Sequence, residues 1–303
     1  MHHPRRGDRG AYERYLDGMD ATMRQKVALT AAHFLFEGRV ADLGMGSGTG
    51  SYALAALYPA LEVVGVDLDP EMVRIAAERY RLPNLSFVEG DIAGRFFPPR
   101  HLDGILLSSV LHHVTTFGGY THDNARAALD AAASQLKPHG VVVVRDFVAL
   151  DGRDVWLDLD TRDGDESDDP SRCSSAALLE RFAGEFRRGI DAPRKPGFAL
   201  ACVDVELSRE APAASDGAPG SDREENGPSE SRIPPLREGF RRYRLALRHA
   251  LEFVLRKDYR ESWANEVLEE YTYFTQAQFE SCFAALGLRV LASTPIYNPW
   301  IER

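Results

Sequence analysis

The sequence predicts an α/β fold: a doubly wound, mostly parallel sheet with helices on both faces. Three observations carry that expectation. Short apolar runs recur between amphipathic segments at the spacing of βαβ units. Runs such as "VADL" and "LEVVGV" lack polar alternation, as strands covered on both faces do. Gly44, Gly46, Gly48 and Gly50 crowd the turn in "VADLGMGSGTGSYALA", residues 40–55. Bare backbone between a strand and a helix lets a ligand approach the main chain, so this turn reads as a cofactor loop.

The elements follow in order. Residues 11–36 have helical spacing, with Tyr15, Met19, Met23 and Val27 on one face, and Gly38 stops the pattern. Residues 40–43 read as the first strand and 51–57 as a helix that Pro59 closes. The second strand, 61–66, closes on Asp67; Asp69 caps a helix that opens at Pro70. "LSFVEGD" is a third strand ending near Asp91. A fourth, 104–107, runs into a loop carrying His112 and His113. A helix over 124–136 and the turn "KPHG" lead to the fifth strand, "VVVVRDF".

Beyond Phe147 the rhythm breaks. "DGRDVWLDLDTRDGDESDDP" reads as a solvated acidic loop; a calcium loop would need its glycine one position away and an oxygen donor in place of Arg162. Residues 174–188 look helical through Leu178, Leu179, Phe182 and Phe186, and 208–235 have the composition of a disordered loop. An amphipathic helix is expected over 235–256. Leu236, Phe240, Tyr243, Leu247, Leu251 and Val254 line one side, with Arg241, Arg242, Arg244 and Arg248 elsewhere, forming a solvated basic face or, alternatively, an anion-binding or partner surface. Thr275 and Gln278 form a helix-start capping box, Gly287 ends that helix, and 288–297 is expected as a sixth strand. The tail after it is short for a seventh strand, a place for which "GFALACVDVEL", 197–207, is the candidate. The domain reading is an N-terminal helical cap (1–37), a Rossmann-like cofactor-binding core (38–150), a large, mainly helical insertion or lid (151–270), and a C-terminal helix and strand completing the core (271–303).

Composition narrows the function. The chain has 303 residues, 44% of them hydrophobic, ample for a packed core. Its net charge of −10 argues against a nucleic-acid partner, whose affinity rests on neutralising phosphates. The three cysteines lie far apart without metal-ligand spacing, so no metal site is expected. No apolar run approaches the roughly 20 residues that span a bilayer, and no apolar segment follows the charged start. The expectation is a cytoplasmic protein without a membrane partner, its oligomeric state open.

Two cofactor classes compete for the glycine loop. "GTGSYA", residues 48–53, satisfies the G-x-G-x-x-A pattern of nicotinamide sites, and Asp67 stands about 20 residues on, where a ribose-binding acid belongs. Other features favour a different ligand. Asp42 precedes the first glycine by two, giving D-x-G-x-G-x-G; Asp91 ends the third strand; "LKPHGVVVV" introduces the fifth. In this combination residues 40–147, about a third of the chain, resemble the class I S-adenosylmethionine-dependent methyltransferases.

The resemblance implies a cofactor, S-adenosylmethionine, and a role for each matching position. The loop of Asp42, Gly44, Met45, Gly46, Ser47 and Gly48 would lie under its amino-acid part. Asp67 would hold both ribose hydroxyls, a task suited to a carboxylate that accepts two hydrogen bonds in one plane, and Leu68 would flank the adenine. Asp91 with Ile92 would meet the adenine amino group, and Ser108 or Ser109 the methionine portion.

Methyl transfer from a sulfonium is an in-line displacement, so the protein must mainly align a nucleophile and exclude water. A general base helps when the acceptor is a hydroxyl or a protonated amine. His112 and His113 stand after the fourth strand, where such a base is needed, and Asp146 is placed to orient a substrate amine or a histidine. Tyr12 and Tyr15 from the N-terminal side, and Tyr271 and Tyr273 before the last helix, are the candidates for shaping an acceptor pocket. The expected function is methyl transfer to an oxygen or nitrogen of a small molecule. The alternatives are an RNA or protein methyltransferase, or a cofactor-binding protein without transfer.

Overall fold

The computed structural model describes residues 27, 30–31, 33–152, 154–187, 197–203 and 235–296. These fall into two compact units: one of the residues up to Ala149 and from Glu269 onward, the other of Leu150 to Leu268. Tyr12, Tyr15, most of the N-terminal helix expected over 11–36, and all but the last residue of the loop 208–235 lie outside the described residues.

The first unit is built on five parallel strands. In chain order its elements are β1 (Gly38–Leu43), α1 (Thr49–Leu57), β2 (Leu61–Asp67), α2 (Pro70–Arg79), β3 (Leu85–Glu89), β4 (Leu102–Ser108), α3 (Leu111–Phe117), α4 (His122–Gln135) and β5 (Leu136–Arg145). The strand order is β3-β2-β1-β4-β5, and every pairing is parallel. Successive residues of a strand face opposite sides, and the apolar runs use both. Ala41, Leu43, Val64, Val66, Ile105 and Leu107 pack with Ala125, Ala128, Leu129 and Ala132 of α4. Their neighbours Val40, Val63 and Leu106 pack on the other side with Leu54 and Ala55 of α1. Two cores, one per face, make the sheet doubly wound.

Local chemistry sets the helix ends. Asp69 accepts a hydrogen bond from the Glu71 N–H just before Pro70. In the helix Gln276–Ala285 the full capping box of Thr275 and Gln278 is formed. Phe279 of that helix joins the core beneath α4. The expected sixth strand does not form: residues 288–296 carry no strand, and Leu291 is 73% exposed. An apolar run alone does not make a strand, because its N–H groups need a partner, and Pro295 removes one of them from any ladder.

The second unit departs from the expected helical insertion. It contains a three-stranded antiparallel sheet, β6 (Asp154–Asp160), β7 (Ala201–Val203) and β8 (Phe240–Ala246), in the order β6-β8-β7. Helices α5 (Ser175–Glu185) and α6 (Leu247–Arg256) accompany it. The acidic segment expected as a loop thus supplies β6, and the segment proposed as the seventh strand of the large sheet pairs with β8 instead. Within the helix expected over 235–256, Phe240–Ala246 form a strand and only Leu247–Arg256 a helix. Tyr243 and Leu247 suit helical spacing, but Tyr243 and Leu245 equally suit alternation, and pairing with β6 decides it. The core holds Phe182, Tyr243, Phe253 and Trp263. The arginines are not a free basic face: Arg242 makes a bidentate pair with Asp158, Arg244 binds Asp154, and Arg241 binds Glu180. Among the described residues no helix is long and apolar enough to cross a membrane.

Candidate active site

Parallel strands deliver the ends of β1, β2, β4 and β5 to one edge of the sheet, where α/β folds bind ligands. The glycine loop leaves β1 at this edge. Gly44, Gly46 and Gly48 all have positive φ, at 77°, 57° and 78°. At Gly44 this is a strict demand, because a Cβ there would also overlap the Val110 side chain, which follows β4. The loops after β1 and β4 are therefore in contact. Gly48 starts α1 in the left-handed conformation.

Two carboxylates brace the loop. Asp42 is buried and accepts a hydrogen bond from the Ser51 hydroxyl of α1 at 2.6 Å. Burial pushes its carboxyl up to about 6, against the opposing effect of Ser51. Its contacts tie β1 to α1 beneath the loop. Asp67, at the end of β2, accepts from the Gly46 N–H at 2.9 Å and the Asp69 N–H at 3.0 Å. Burial raises its pKa, and these backbone donors oppose the rise. The half-buried Asp67 carboxylate thus stands beside the glycine backbone. Met45 and Ser47 are buried, with Ser47 against Thr49 of α1, and Leu68 is half-buried. Asp91 is exposed, its carboxylate accepting from the Ala93 N–H, and Ile92 is buried beside it. Of the two serines after β4, Ser109 accepts a hydrogen bond from Arg145 at 2.7 Å, and Ser108 is half-buried.

His112 and His113 lie in a short helix, α3, rather than a loop. The reason is remote in sequence. The Asp146 carboxylate, just after β5, accepts from the N–H groups of Leu111 and His112 at 2.9 and 3.3 Å and so caps α3. Its other oxygen lies 2.8 Å from His112 Nδ1. Tyr273 donates its hydroxyl to Asp146 at 3.3 Å, and burial beside that carboxylate drives the phenol's pKa well up. Tyr271 stacks on Phe147 with ring centroids 4.8 Å apart and meets His112 edge-on. Of the residues singled out from the sequence, His112, His113, Asp146, Tyr271 and Tyr273 are thus drawn into one cluster.

Two members carried no sequence signal of their own. Phe147 ends an apolar run, and Glu269 sits in the acidic stretch "EVLEEYTYF". Glu269 is buried, with Oε2 at 3.6 Å from His113 Nδ1 and 4.0 Å from His112 Nε2. One ligand atom from each of His112, His113 and Glu269 falls within a 4.8 Å span. The neighbouring Glu270 N–H donates to Thr116 of α3 at 3.0 Å, which holds this return of the chain in place.

The profile of the family described as "Methyltransferase domain" matches residues 40–140, covering β1 through the turn within β5. Residues 40–140 are a class I S-adenosylmethionine-dependent methyltransferase domain. The methyltransferase domain has curated relatives of similar sequence. A trans-aconitate 2-methyltransferase of Afipia carboxidovorans is 32% identical over 110 residues, 35% of this chain and 42% of that protein. A demethylmenaquinone methyltransferase of Tropheryma whipplei is 32% identical over 108 residues, 35% of this chain and 41% of that protein. A fatty-acid O-methyltransferase of Mycolicibacterium smegmatis is 31% identical over 98 residues, 32% of this chain and 36% of that protein. The chain thus spans about two fifths of the length of these relatives.

Proposed function

We propose that the protein transfers a methyl group from S-adenosylmethionine to an oxygen or nitrogen of a small molecule. The observation that carries this reading is the meeting of the glycine loop and the histidine cluster at one edge of the sheet, Gly44 against Val110 and Val110 two residues before His112. When bound, the sulfonium supplies an activated methyl carbon: the acceptor's lone pair forms the new bond as the carbon–sulfur bond breaks, and the neutral thioether leaves.

The chain's own residues supply binding and alignment. The loop of Asp42 to Gly48 cradles the amino-acid part through open backbone, Asp67 accepts the ribose hydroxyls, and Leu68, Asp91 and Ile92 hold the adenine end, with Ser108 beside the methionine portion. Asp146 and His112 mark where the acceptor is activated, and Tyr271, Tyr273 and Phe147 wall that place against water. Small-molecule acceptors agree with the relatives, named for trans-aconitate, demethylmenaquinone and a fatty acid. An RNA acceptor is not favoured, because Arg241, Arg242 and Arg244 are paired with carboxylates instead of standing free for phosphates.

Calorimetric titration with S-adenosylmethionine and its demethylated product, with NAD as control, tests the reading. The adenosyl ligands should bind to the wild type and bind at least ~100-fold more weakly to Asp67→Ala, the loss of two hydrogen bonds to a charged group. Binding of NAD alone overturns it. Transfer of labelled methyl to a panel of carboxylic acids, phenols and amines then identifies the acceptor class.

A further inference from the structure

We propose that His112, His113 and Glu269 bind one divalent transition-metal ion of the zinc class. The three donors come from two separate stretches of chain, adjacent positions of α3 and the segment returning from the second unit. Their ligand atoms lie within 4.8 Å of one another, close enough to share one ion. Glu269 Oε2 is 3.6 Å from His113 Nδ1 and 4.0 Å from His112 Nε2, both beyond hydrogen-bonding reach. Ligands about 2.1 Å from a tetrahedral ion stand about 3.4 Å apart, so small side-chain shifts close the shell.

The surroundings are those of a built site. The side chains of His112 and Glu269 are each 4% exposed, and that of His113 is 20% exposed, which leaves a way in. Asp146 Oδ1 lies 2.8 Å from His112 Nδ1, so in the neutral ring Nδ1 carries the proton and the lone pair falls on Nε2, the atom nearer Glu269. A carboxylate behind a ligating imidazole is the usual means of orienting it and raising its basicity. Phe147 and Tyr271 pack against the His112 ring at 5.4 and 5.3 Å and hold its plane. A donor set of two imidazoles and one carboxylate suits zinc and its transition-metal neighbours, and gives magnesium or calcium too few oxygens.

Three protein ligands leave a coordination position open, and an acceptor oxygen is the group to fill it. An ion there lowers the pKa of a bound hydroxyl, so the acceptor releases its proton to solvent as it binds and His112 serves as ligand, not as base. That use of the ion rests on the proposed methyl transfer; the binding of the ion does not.

The test is a titration of the full chain, stripped with chelator and dialysed, with Zn2+ by calorimetry and with Co2+ by visible absorption, Mg2+ serving as comparator. The expected result is one Zn2+ per chain, no Mg2+, and Co2+ bands of a low-symmetry nitrogen and oxygen site. Glu269→Gln and His113→Ala should each lose at least 100-fold in affinity, and Asp146→Asn ~10- to 100-fold through the orientation of His112. Thermal melting establishes that each variant is folded; His113 is the most open of the three, so His113→Ala decides if Glu269→Gln does not fold. Absence of Zn2+ binding, or binding unchanged in His113→Ala, overturns the proposal and leaves a histidine–carboxylate ion pair. Titration of S-adenosylmethionine in the presence of chelator separates the two readings: its failure counts against methyl transfer alone, and failure of Zn2+ binding against the metal site alone.

Discussion

Asp146 Oδ1 lies 2.8 Å from His112 Nδ1, while Asp146 Oδ2 caps the helix that carries His112. One carboxylate therefore sets both the position of the imidazole and the orientation of its ring. Asp146→Asn keeps the shape but turns an amide N–H2 toward N–H donors. The expected outcome is a loss of about 2 to 3 kcal/mol in unfolding free energy, the cost of stranding buried donors. Labelled-methyl transfer should fall at least 100-fold, in line with loss of the carboxylate that orients His112, while affinity for S-adenosylmethionine stays within about threefold. Denaturant unfolding, turnover and calorimetry read the three effects separately. An equal fall in cofactor affinity would make Asp146 a purely structural residue.

Gly44 combines a φ of 77° with a Cα that faces the Val110 side chain. Gly44→Ala adds backbone strain and overlap together, each worth ~1 to 3 kcal/mol. The double variant Gly44→Ala/Val110→Ala relieves only the overlap, so it should recover part of the stability and not all of it. A double-mutant cycle by denaturant unfolding measures the coupling. Full recovery would show that the backbone angle costs nothing here.

The elements legible in sequence are those whose chemistry is local. β1 to β5 announce themselves as apolar runs; Asp69 with Pro70, and Thr275 with Gln278, mark helix starts within four residues. The elements that escape depend on partners far along the chain. Helix α3 reads as a loop because its cap, Asp146, is more than thirty positions away. β8 reads as a helix because Tyr243, Leu247 and Leu251 fit one helical face, whereas the partner strand β6 that overrules this lies more than 80 residues upstream. The candidate site divides in the same way. Asp42, the glycines and Asp67 form a motif, and His112 and Asp146 flank strand ends, so they can be found by position. Glu269 cannot, since an acidic residue among acidic neighbours looks solvated until the chain's return brings it against His112 and His113.

Arg242 is 8% exposed and gives both N–H groups of its fork to Asp158 across the β6–β8 pair. Removing the carboxylate strands a nearly buried guanidinium. Asp158→Ala is expected to destabilise the protein by about 2 to 3 kcal/mol, and Arg242→Met/Asp158→Leu to restore most of that loss, since breaking a desolvated pair costs more than replacing it. Thermal melting of the single and double variants checks both directions. Equal stability of Asp158→Ala and wild type would reduce the pair to a surface contact.

Asp42 gives the clearest pH signature. Its folded-state pKa of about 6 stands above the ordinary 3.8 because burial disfavours the charged form more than Ser51 favours it. A raised carboxyl pKa means the folded chain holds the proton more tightly than the unfolded chain. The stability this contributes is therefore present below about pH 4 and is lost as pH rises through about 6. A shift of this size corresponds to about 3 kcal/mol. Asn mimics the protonated acid and does not titrate, and its side-chain oxygen still accepts from Ser51. Asp42→Asn should thus match wild type near pH 4 and exceed it by up to about 3 kcal/mol at pH 7. Urea unfolding of both proteins across that range measures the gap. A difference that stays constant with pH would mean that Asp42 ionises in the folded state as readily as in water, and that its contact with Ser51 fully offsets the cost of burial.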